Sequence, residues 1–242
     1  MSYQSVFRRY EFKYLITQQQ KEYILSRMSE YMSPDQYGKS TIRNVYFDTD
    51  DYRLIRHSID KPLYKEKLRI RSYRKADHDS EVFVELKKKY HGTVFKRRAS
   101  MPEATAMAWL CGGDIPFDSQ ICREIEYFCD FYKNLRPALF LSYEREAYYS
   151  VLGDDLRITF DENILARTED LSLCSEAYGQ SVLTEGRTLM EIKCSGAIPF
   201  WLIDVLSERK IYKTSFSKYG VAYANYVLPS IMNGKKEYIY GR

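Results

Sequence analysis

The chain has 242 residues, of which 45% are hydrophobic and 29% are charged, a composition typical of a folded globular protein and not of a disordered one. Its 37 basic and 33 acidic residues leave a net charge of +4, which excludes a function based on bulk positive charge. No run of 18 apolar residues and no signal-peptide pattern at Met1 is present, so we expect a soluble, cytoplasmic protein without a transmembrane segment of its own.

Period-two alternation of apolar and polar residues predicts eight strands, at 6–16, 41–48, 65–74, 80–89, 93–101, 138–149, 155–163 and 187–195. Helical spacing predicts five helices, at 17–32, 102–111, 121–134, 200–210 and 217–228. Turn residues at 76–80 and 90–93 predict hairpins, which make the neighbouring strands antiparallel. The predicted class is α+β, dominated by an antiparallel sheet.

Neither a repeat nor a low-complexity linker divides the sequence. We therefore expect one domain over residues 1–242, with its core at 6–228 and a flexible tail at 229–242.

Charged residues occupy one face of nearly every predicted strand. In the stretch from 64 to 75, Lys67, Arg69 and Arg71 alternate with Leu68 and Ile70, which places the cations on one face and the apolar residues on the other. The same parity groups Arg9, Glu11 and Lys13; Glu85, Lys87 and Lys89; Lys96 and Arg98; Arg157, Thr159 and Asp161; and Glu191 and Lys193.

Such rows suit a bound polyanion better than a solvated surface. Two cations about 4 Å apart repel by roughly 4 kcal/mol at an effective dielectric constant of about 20. A curved sheet closed on itself would line its interior with these rows and leave its apolar outer face for helices. Arginine and lysine would bind phosphate oxygens, and the isolated glutamates would hold a divalent cation that bridges carboxylate and phosphate.

Nine short motifs carry a resemblance to a known family. They are "RYEFKYLI", "VYFDT", "LRIRSY", "VFVELKKK", "FKRR", "YEREAY", "LRITFDENI", "LMEIKCSGAIPFWL" and "SFSKYG", in this order between about residues 6 and 226. In these motifs the chain resembles the VTC domain family, the polyphosphate polymerase branch of the triphosphate tunnel metalloenzyme (CYTH-like) superfamily.

The resemblance implies an eight-stranded antiparallel β-barrel, the triphosphate tunnel, with helices packed on its outside. It also implies an enzyme that transfers the γ-phosphate of ATP to a growing polyphosphate chain with Mn²⁺ or Mg²⁺. The catalytic phosphate-binding residues it implies are Lys13, Arg69, Arg71, Lys87, Lys96, Arg145, Arg157 and Lys218. Glu191 would hold the metal, with Glu85 and Glu11 as further candidates.

Other cations of the charged rows are expected to bind substrate: Arg9, Lys67, Lys89, Arg98 and Lys193. Lys213 joins them because some relatives carry a second lysine where this chain has Ser215, and Lys213 could replace it. Some family members work beside membrane-embedded proteins, so a partner of that kind is a further expectation.

Alternative functions remain open at this point. Hydrolytic members of the superfamily open on Glu-x-Glu-x-Lys, whereas this chain has Arg9 at the first position, which favours phosphate over water as the acceptor. A metal-dependent triphosphatase and a non-catalytic module that binds polyphosphate or inositol polyphosphate are the alternatives. A nucleic-acid module is disfavoured because the cations would face a narrow interior.

Other motifs do not indicate a different chemistry. "SPDQYGKST" at 33–41 lacks the first glycine of a phosphate-binding loop, and the three histidines are too dispersed to predict a site built from several of them. The five cysteines contain no Cys-x-x-Cys pair, so neither a disulfide framework nor a zinc knuckle is predicted. Asp48 and Asp50 follow a strand, where capping of the next helix is favoured over metal binding.

Overall fold

The computed structural model describes residues 10–91 and 93–232. Its strands are β1 (Tyr10–Thr17), β2 (Met32–Pro34), β3 (Ser40–Asp48), β4 (Tyr64–Ser72), β5 (Glu81–Tyr90), β6 (Thr93–Pro102), β7 (Arg136–Ser150), β8 (Arg157–Arg167), β9 (Gln180–Ser181), β10 (Arg187–Cys194) and β11 (Lys213–Thr214). Its helices are α1 (Gln18–Met28), α2 (Arg53–Ile59), α3 (Glu103–Leu110), α4 (Gln120–Tyr132), α5 (Phe200–Glu208) and α6 (Lys218–Ala222), which continues as a π-helical turn, Tyr223–Val227. Arg9, Gly92 in the second predicted hairpin, and residues 233–242 of the predicted tail lie outside the described residues.

Each of the eight predicted strands corresponds to a long strand of the structure, and each of the five predicted helices is present. Three short strands (β2, β9 and β11) were not predicted, and the seven-residue helix α2 was indicated only by the expected capping role of Asp48 or Asp50, without bounds. These elements are too short for a period of apolar residues to emerge from the sequence.

The chain divides into two compact units. The first unit contains Met1–Ile42, Tyr143–Ile164 and Leu183–Phe216. The second unit contains Arg43–Ser142, Leu165–Val182 and Ser217–Arg242. The prediction of a single domain over residues 1–242 stays a prediction.

In the first unit, β1 pairs with β10 on one side and with β11 on the other, and β10 also pairs with β8. Helices α1 and α5 pack on the apolar face of these strands around Ile16, Ile158 and Ile192, all fully buried. Helix α1 begins with a capping box, because the Thr17 side chain accepts from the Gln20 amide at 3.2 Å while the Gln20 side chain accepts from the Thr17 amide at 2.9 Å.

In the second unit, β3, β4, β5 and β6 form consecutive antiparallel pairs. The predicted apolar parity of β5 is observed, since Val82, Val84 and Leu86 are fully buried in a core that includes residues of α3 and α4. This packing fixes which face of each strand carries the charged rows, because a shift by one residue would move the apolar residues out of the core.

The fold is therefore mixed α+β with a large antiparallel sheet. Over residues 10–91 and 93–232 the path of paired strands begins at β11 and ends at β6, and no pairing between these two strands closes the predicted barrel. No helix in this part of the chain is long and apolar enough to cross a membrane.

Asp48 is fully buried at the end of β3 and holds the start of α2. One carboxylate oxygen accepts from the amide of Leu54 at 2.8 Å, and the other accepts from the amide of Ile55 at 3.0 Å and the hydroxyl of Tyr219 at 2.9 Å. Burial raises the pKa of Asp48, and these hydrogen bonds oppose the shift. Asp48 therefore has the capping role that the sequence favoured.

Asp48→Ala should lower the free energy of unfolding by about 3 kcal/mol, because it leaves buried amides of α2 without acceptors. Urea denaturation would measure this loss. Asp50→Ala is the matched control, since Asp50 is exposed and pairs with Arg136 at the surface, which should be worth under about 1 kcal/mol. Equal losses in the two variants would contradict the capping role.

Candidate active site

Strand register in the second unit brings the predicted cations into two rows across β4, β5 and β6. Arg69 lies opposite Glu85, which lies opposite Arg98. Lys67 lies opposite Lys87, which lies opposite Lys96. Residues directly opposite each other share a face of the sheet, and like charges in such pairs are destabilising. The second row therefore places three lysines on neighbouring strands at an electrostatic cost.

Glu85 is the centre of a group that we call the Glu85 cluster: Glu85, Arg69, Arg71, Lys96 and Arg98. One Glu85 oxygen accepts from Nε and Nη2 of Arg69 at 2.9 and 2.7 Å and lies 3.9 Å from Nη1 of Arg71. The other lies 2.6 Å from Nζ of Lys96 and accepts from Nε and Nη2 of Arg98 at 2.8 and 2.5 Å. Four cations thus surround one carboxylate, an excess of three positive charges (4 − 1).

The charge state of Glu85 follows from this environment. Its side chain is 1% exposed, and burial alone would raise its pKa. Attraction to Arg69, Arg71 and Lys96 outweighs the effect of burial and holds the pKa of Glu85 well below its usual range. The carboxylate is therefore ionised at any pH near neutrality.

Neutral groups hold the guanidinium groups of the Glu85 cluster in place. The hydroxyl of Tyr46 accepts from Arg69 at 3.0 Å, and the side-chain oxygen of Asn44 accepts from Nε of Arg71 at 3.0 Å. Arg98 donates to the hydroxyl of Tyr73 at 2.8 Å and stacks over the ring of Phe83, 4.4 Å from its centroid. Hydroxyl, amide and aromatic partners orient the cations without reducing the positive charge.

Lys96 of the Glu85 cluster holds its proton weakly. Burial lowers the pKa of Lys96 to about 8, attraction to Glu85 opposes that shift, and repulsion from Arg98 and Arg69 adds to it. Lys96 can therefore gain or lose its charge in a mildly alkaline solution.

The first unit contains a second group, the Glu191 cluster: Glu191, Glu11, Lys13, Arg145, Asp161 and Lys193. Nζ of Lys13 lies 3.4 Å from Glu191 and 3.1 Å from Glu11. Nζ of Lys193 and Nη2 of Arg145 lie 3.2 and 3.6 Å from the other oxygen of Glu191. Three cations face three carboxylates, so this cluster is balanced in charge (3 − 3), unlike the Glu85 cluster.

Asp161 is a member of the Glu191 cluster that was not among the predicted site residues. It is fully buried, and its two oxygens accept from Nε and Nη2 of Arg145 at 2.6 and 2.7 Å. Burial would lower the pKa of Arg145, but attraction to Tyr143 and Asp161 and the hydrogen bonds to Asp161 raise it well above its ordinary value. The signal was present in the sequence, because Asp161 shares the charged face of its strand with Arg157.

A buried hydroxyl also lies beside this cluster. Thr159 is directly opposite Glu191 in the pairing of β8 with β10, and its side chain is 1% exposed. Its hydroxyl has no hydrogen-bond partner within the described part of the chain. A buried polar atom without a partner is costly, and a water or cation ligand would satisfy it.

The remaining predicted residues have separate surroundings. In the second unit, Nζ of Lys67 donates to the Ser217 hydroxyl at 2.9 Å, Lys87 lies in the lysine row, Lys89 is exposed and Lys218 is the first residue of α6. In the first unit, Arg157 is half-exposed and contacts Asp35 at 3.4 Å, and Nζ of Lys213 lies 4.9 Å from the ring centroid of Phe12. Arg9 cannot be placed because it lies outside the described residues.

Comparisons with known proteins agree with these features. A family model described as the VTC domain matches residues 8–227. Similar solved structures include a candidate adenylate cyclase from Bacillus halodurans, at 15% identity and a TM-score of 0.53. Another is HpAC1 from Hippeastrum, a candidate adenylyl cyclase whose description gives a dominant triphosphatase activity, at 19% identity and a TM-score of 0.52. Each of these two alignments covers 88% of this chain and 94% of the other.

No curated protein matches the chain in sequence. At identities below 20% these two solved structures inform the fold alone, which they share with this chain. Since the family model spans most of its length, the chain belongs to the VTC domain family, which confirms the resemblance seen in its motifs.

Glu85→Gln should lower the free energy of unfolding by about 3–5 kcal/mol near neutral pH, because it removes the buried carboxylate that Arg69, Arg71, Lys96 and Arg98 share. The depressed pKa sets the pH dependence. The contribution of Glu85 to the free energy of unfolding is fully present above about pH 5, where the carboxyl group is ionised in the unfolded chain. It is lost as the pH falls through the pKa of Glu85 in the folded protein. The difference between wild type and variant, measured by urea denaturation, should therefore shrink only below about pH 4.

The matched control is Glu81→Gln, which changes an exposed glutamate on the same strand. It should alter stability by less than about 0.5 kcal/mol. A Glu85→Gln variant as stable as this control would show that Glu85 does not hold the cations together.

Proposed function

We propose that the chain transfers a phosphoryl group from a triphosphate and that it is an ATP-dependent polyphosphate polymerase, which adds the γ-phosphate of ATP to a growing polyphosphate chain. The observation that carries this proposal is the Glu85 cluster, with its excess of three positive charges held on adjacent strands. Membership of the VTC domain family supports the polymerase activity.

The Glu85 cluster has the chemistry that phosphoryl transfer requires. The reaction needs alignment of the acceptor and leaving oxygens and neutralisation of charge on the transferred group, with little covalent chemistry from the protein. Arg69, Arg71 and Arg98 would provide planar donors for pairs of phosphate oxygens, and Lys96 would add a compact charge. Because strands and neutral partners already orient these groups, little reorganisation is needed when the anion binds.

The Glu191 cluster fits a hard divalent cation. Its carboxylates Glu191 and Glu11 are the oxygen donors that Mg²⁺ and Mn²⁺ prefer, whereas both oxygens of Asp161 already accept from Arg145. The hydroxyl of Thr159, which has no hydrogen-bond partner among the described residues, lies opposite Glu191. A bound Mg²⁺ or Mn²⁺ would neutralise phosphate charge and polarise phosphate oxygens. Glu85 is less suited to this role because four cations already neutralise it, so we assign it to holding the cations in position.

The proposal includes four expectations from the sequence: closure of the strands into an eight-stranded tunnel, ATP and polyphosphate as ligands, a cytoplasmic location, and a membrane-embedded partner protein. It also assigns phosphate binding to Lys13, Lys87, Arg145, Arg157 and Lys218. The family relationship supports these points.

A metal-dependent triphosphatase is the second candidate. Similarity in fold to HpAC1, whose described dominant activity is that of a triphosphatase, favours it. Both activities use the same triphosphate and cations, and they differ only in whether phosphate or water attacks.

Incubation of the purified protein with ATP and Mn²⁺, followed by a polyphosphate gel and an orthophosphate assay on the same sample, separates the candidates. A ladder of polyphosphate chains supports the polymerase, whereas orthophosphate without a ladder assigns the protein to the triphosphatases. If neither product forms but tripolyphosphate binds tightly, the protein is a non-catalytic binding module.

Arg69→Ala should lower kcat/KM by about 10²- to 10³-fold, since it removes a positioned donor to the transferred phosphate. Glu191→Gln should reduce turnover by about 10²-fold or more and leave the affinity for tripolyphosphate within about threefold. Steady-state kinetics and calorimetric titration with tripolyphosphate provide the two readouts.

Arg74→Ala and Glu185→Gln, both at exposed positions, are matched controls that should retain full activity. Full activity of Glu191→Gln would refute the metal assignment.

The pKa of Lys96 predicts a pH dependence of binding. Because Lys96 loses its proton as the pH rises through about 8, the affinity for tripolyphosphate should fall by up to about tenfold between pH 8 and pH 9. Lys96→Arg keeps its charge over this range and should remove most of the fall. Calorimetric titrations of both proteins between pH 7 and pH 9 would measure it, and the same fall in both would exclude Lys96 as the cause.

A further inference from the structure

A group of metal-ligating side chains lies in the second unit, outside the two clusters described above. It consists of His78 in the hairpin between β4 and β5, Glu103 at the first position of α3, and Cys174 in the loop after β8. The candidate ligand atoms of the three residues all lie within 4.8 Å of one another. Nδ1 of His78 is 3.6 Å from a carboxylate oxygen of Glu103.

Backbone hydrogen bonds fix the three segments to one another. The amide of Ala104 donates to the carbonyl of His78 at 3.0 Å, and the amide of Glu103 donates to the carbonyl of Ser80 at 2.9 Å. The amide of Ala76 donates to the carbonyl of Leu173, next to Cys174, at 3.1 Å. The ligand residues are thus brought together by the fold, and side-chain adjustment alone is needed to gather them around an ion.

The electrostatics of the group favour a bound cation. The side chain of Glu103 is 5% exposed, and its cationic partner, within the described residues, is the imidazole of His78, which is 84% exposed and charged only when protonated. A buried carboxylate without a permanent opposite charge is costly. A divalent ion would compensate the carboxylate and stabilise the thiolate.

We infer that His78, Glu103 and Cys174 form a binding site for a transition-metal ion, with Zn²⁺ as the ion that their chemistry fits best. Zn²⁺ binds imidazole nitrogen, carboxylate oxygen and thiolate sulfur at about 2.0–2.3 Å, in tetrahedral geometry. Ligand atoms around such an ion are roughly 3.3–3.8 Å apart, so closing from separations within 4.8 Å requires a movement that the exposed His78 side chain can provide. Three protein ligands leave the fourth position for water or a substrate oxygen.

The mixed donor set distinguishes this site from the Glu191 cluster. All-oxygen clusters select Mg²⁺ and Mn²⁺, whereas thiolate and imidazole select Zn²⁺ and its spectroscopic substitute Co²⁺. The ion would join the hairpin, the start of α3 and the loop after β8.

The test uses the full chain in an excess of Mg²⁺, which occupies oxygen-rich sites, with a reductant that contains no thiol. Addition of Co²⁺ should give one equivalent of bound ion with a thiolate-to-cobalt charge-transfer band. Cys174→Ser should lose the band, and Cys111→Ser, which changes an exposed cysteine outside the group, should retain it. Absence of the band from the wild-type protein would overturn the proposal.

Zn²⁺ affinity, measured by competition with a chromophoric chelator, provides an independent readout. His78→Ala should bind Zn²⁺ at least tenfold more weakly, and Zn²⁺ should raise the Tm of the wild-type protein but not of this variant. His78 is exposed, so the variant is expected to fold, and His57→Ala is the control for loss of an exposed histidine elsewhere in the unit. Affinities within threefold of wild type in both His78→Ala and Cys174→Ser would also overturn the site.

Discussion

The charge chemistry of the second unit depends on one buried carboxylate. Glu85 accepts from Arg69 and Arg98 and contacts Arg71 and Lys96, and without it these four cations would have no common counter-charge within the cluster. One carboxylate cannot neutralise four cations, so the folded chain retains a positive surplus on strands whose other face is buried in a core. The energy that stabilises this arrangement comes from apolar residues such as Val84 and Leu86, which pin the strand in its register.

The two charged clusters have different charge balances and therefore suit different ligands. The Glu85 cluster has a surplus of cations and arginines oriented by neutral partners, which suits a dense anion such as a triphosphate. In the Glu191 cluster the cations and carboxylates are equal in number, and opposite Glu191 lies the buried hydroxyl of Thr159, which has no hydrogen-bond partner among the described residues. A balanced, oxygen-rich group is better suited to a hydrated divalent cation than to a bare anion.

The strands and their charged faces could largely be predicted from the sequence. A strand with one buried face alternates apolar and charged residues with a period of two, so both rows can be recognised in the sequence. The family resemblance was also available from short motifs. The contacts of Glu85 could not be predicted from the sequence, because they depend on the register of three strands. That register places Glu85 between Arg69 and Arg98. Asp161 was assigned to the correct face, but its pairing with Arg145 links two strands and has no local signature. The group of His78, Glu103 and Cys174 joins three distant segments, so no spacing in the sequence could indicate it.

The cations of the site act on the triphosphate in the same way whichever acceptor attacks it. Cations that neutralise a triphosphate act equally on attack by water and by phosphate, because the charge that develops on the transferred group is the same in both reactions. Discrimination between the two acceptors must therefore come from how strongly the site attracts the acceptor itself, either water or the end of a polyphosphate chain. A surplus of cations would attract a polyphosphate end as well as ATP, and water gains nothing comparable from that field because it has no net charge. A longer anion also meets more of the cationic row formed by Lys67, Lys87 and Lys96, and would be released more slowly than orthophosphate. The positive surplus is thus the physical basis on which we propose a phosphate acceptor in preference to water.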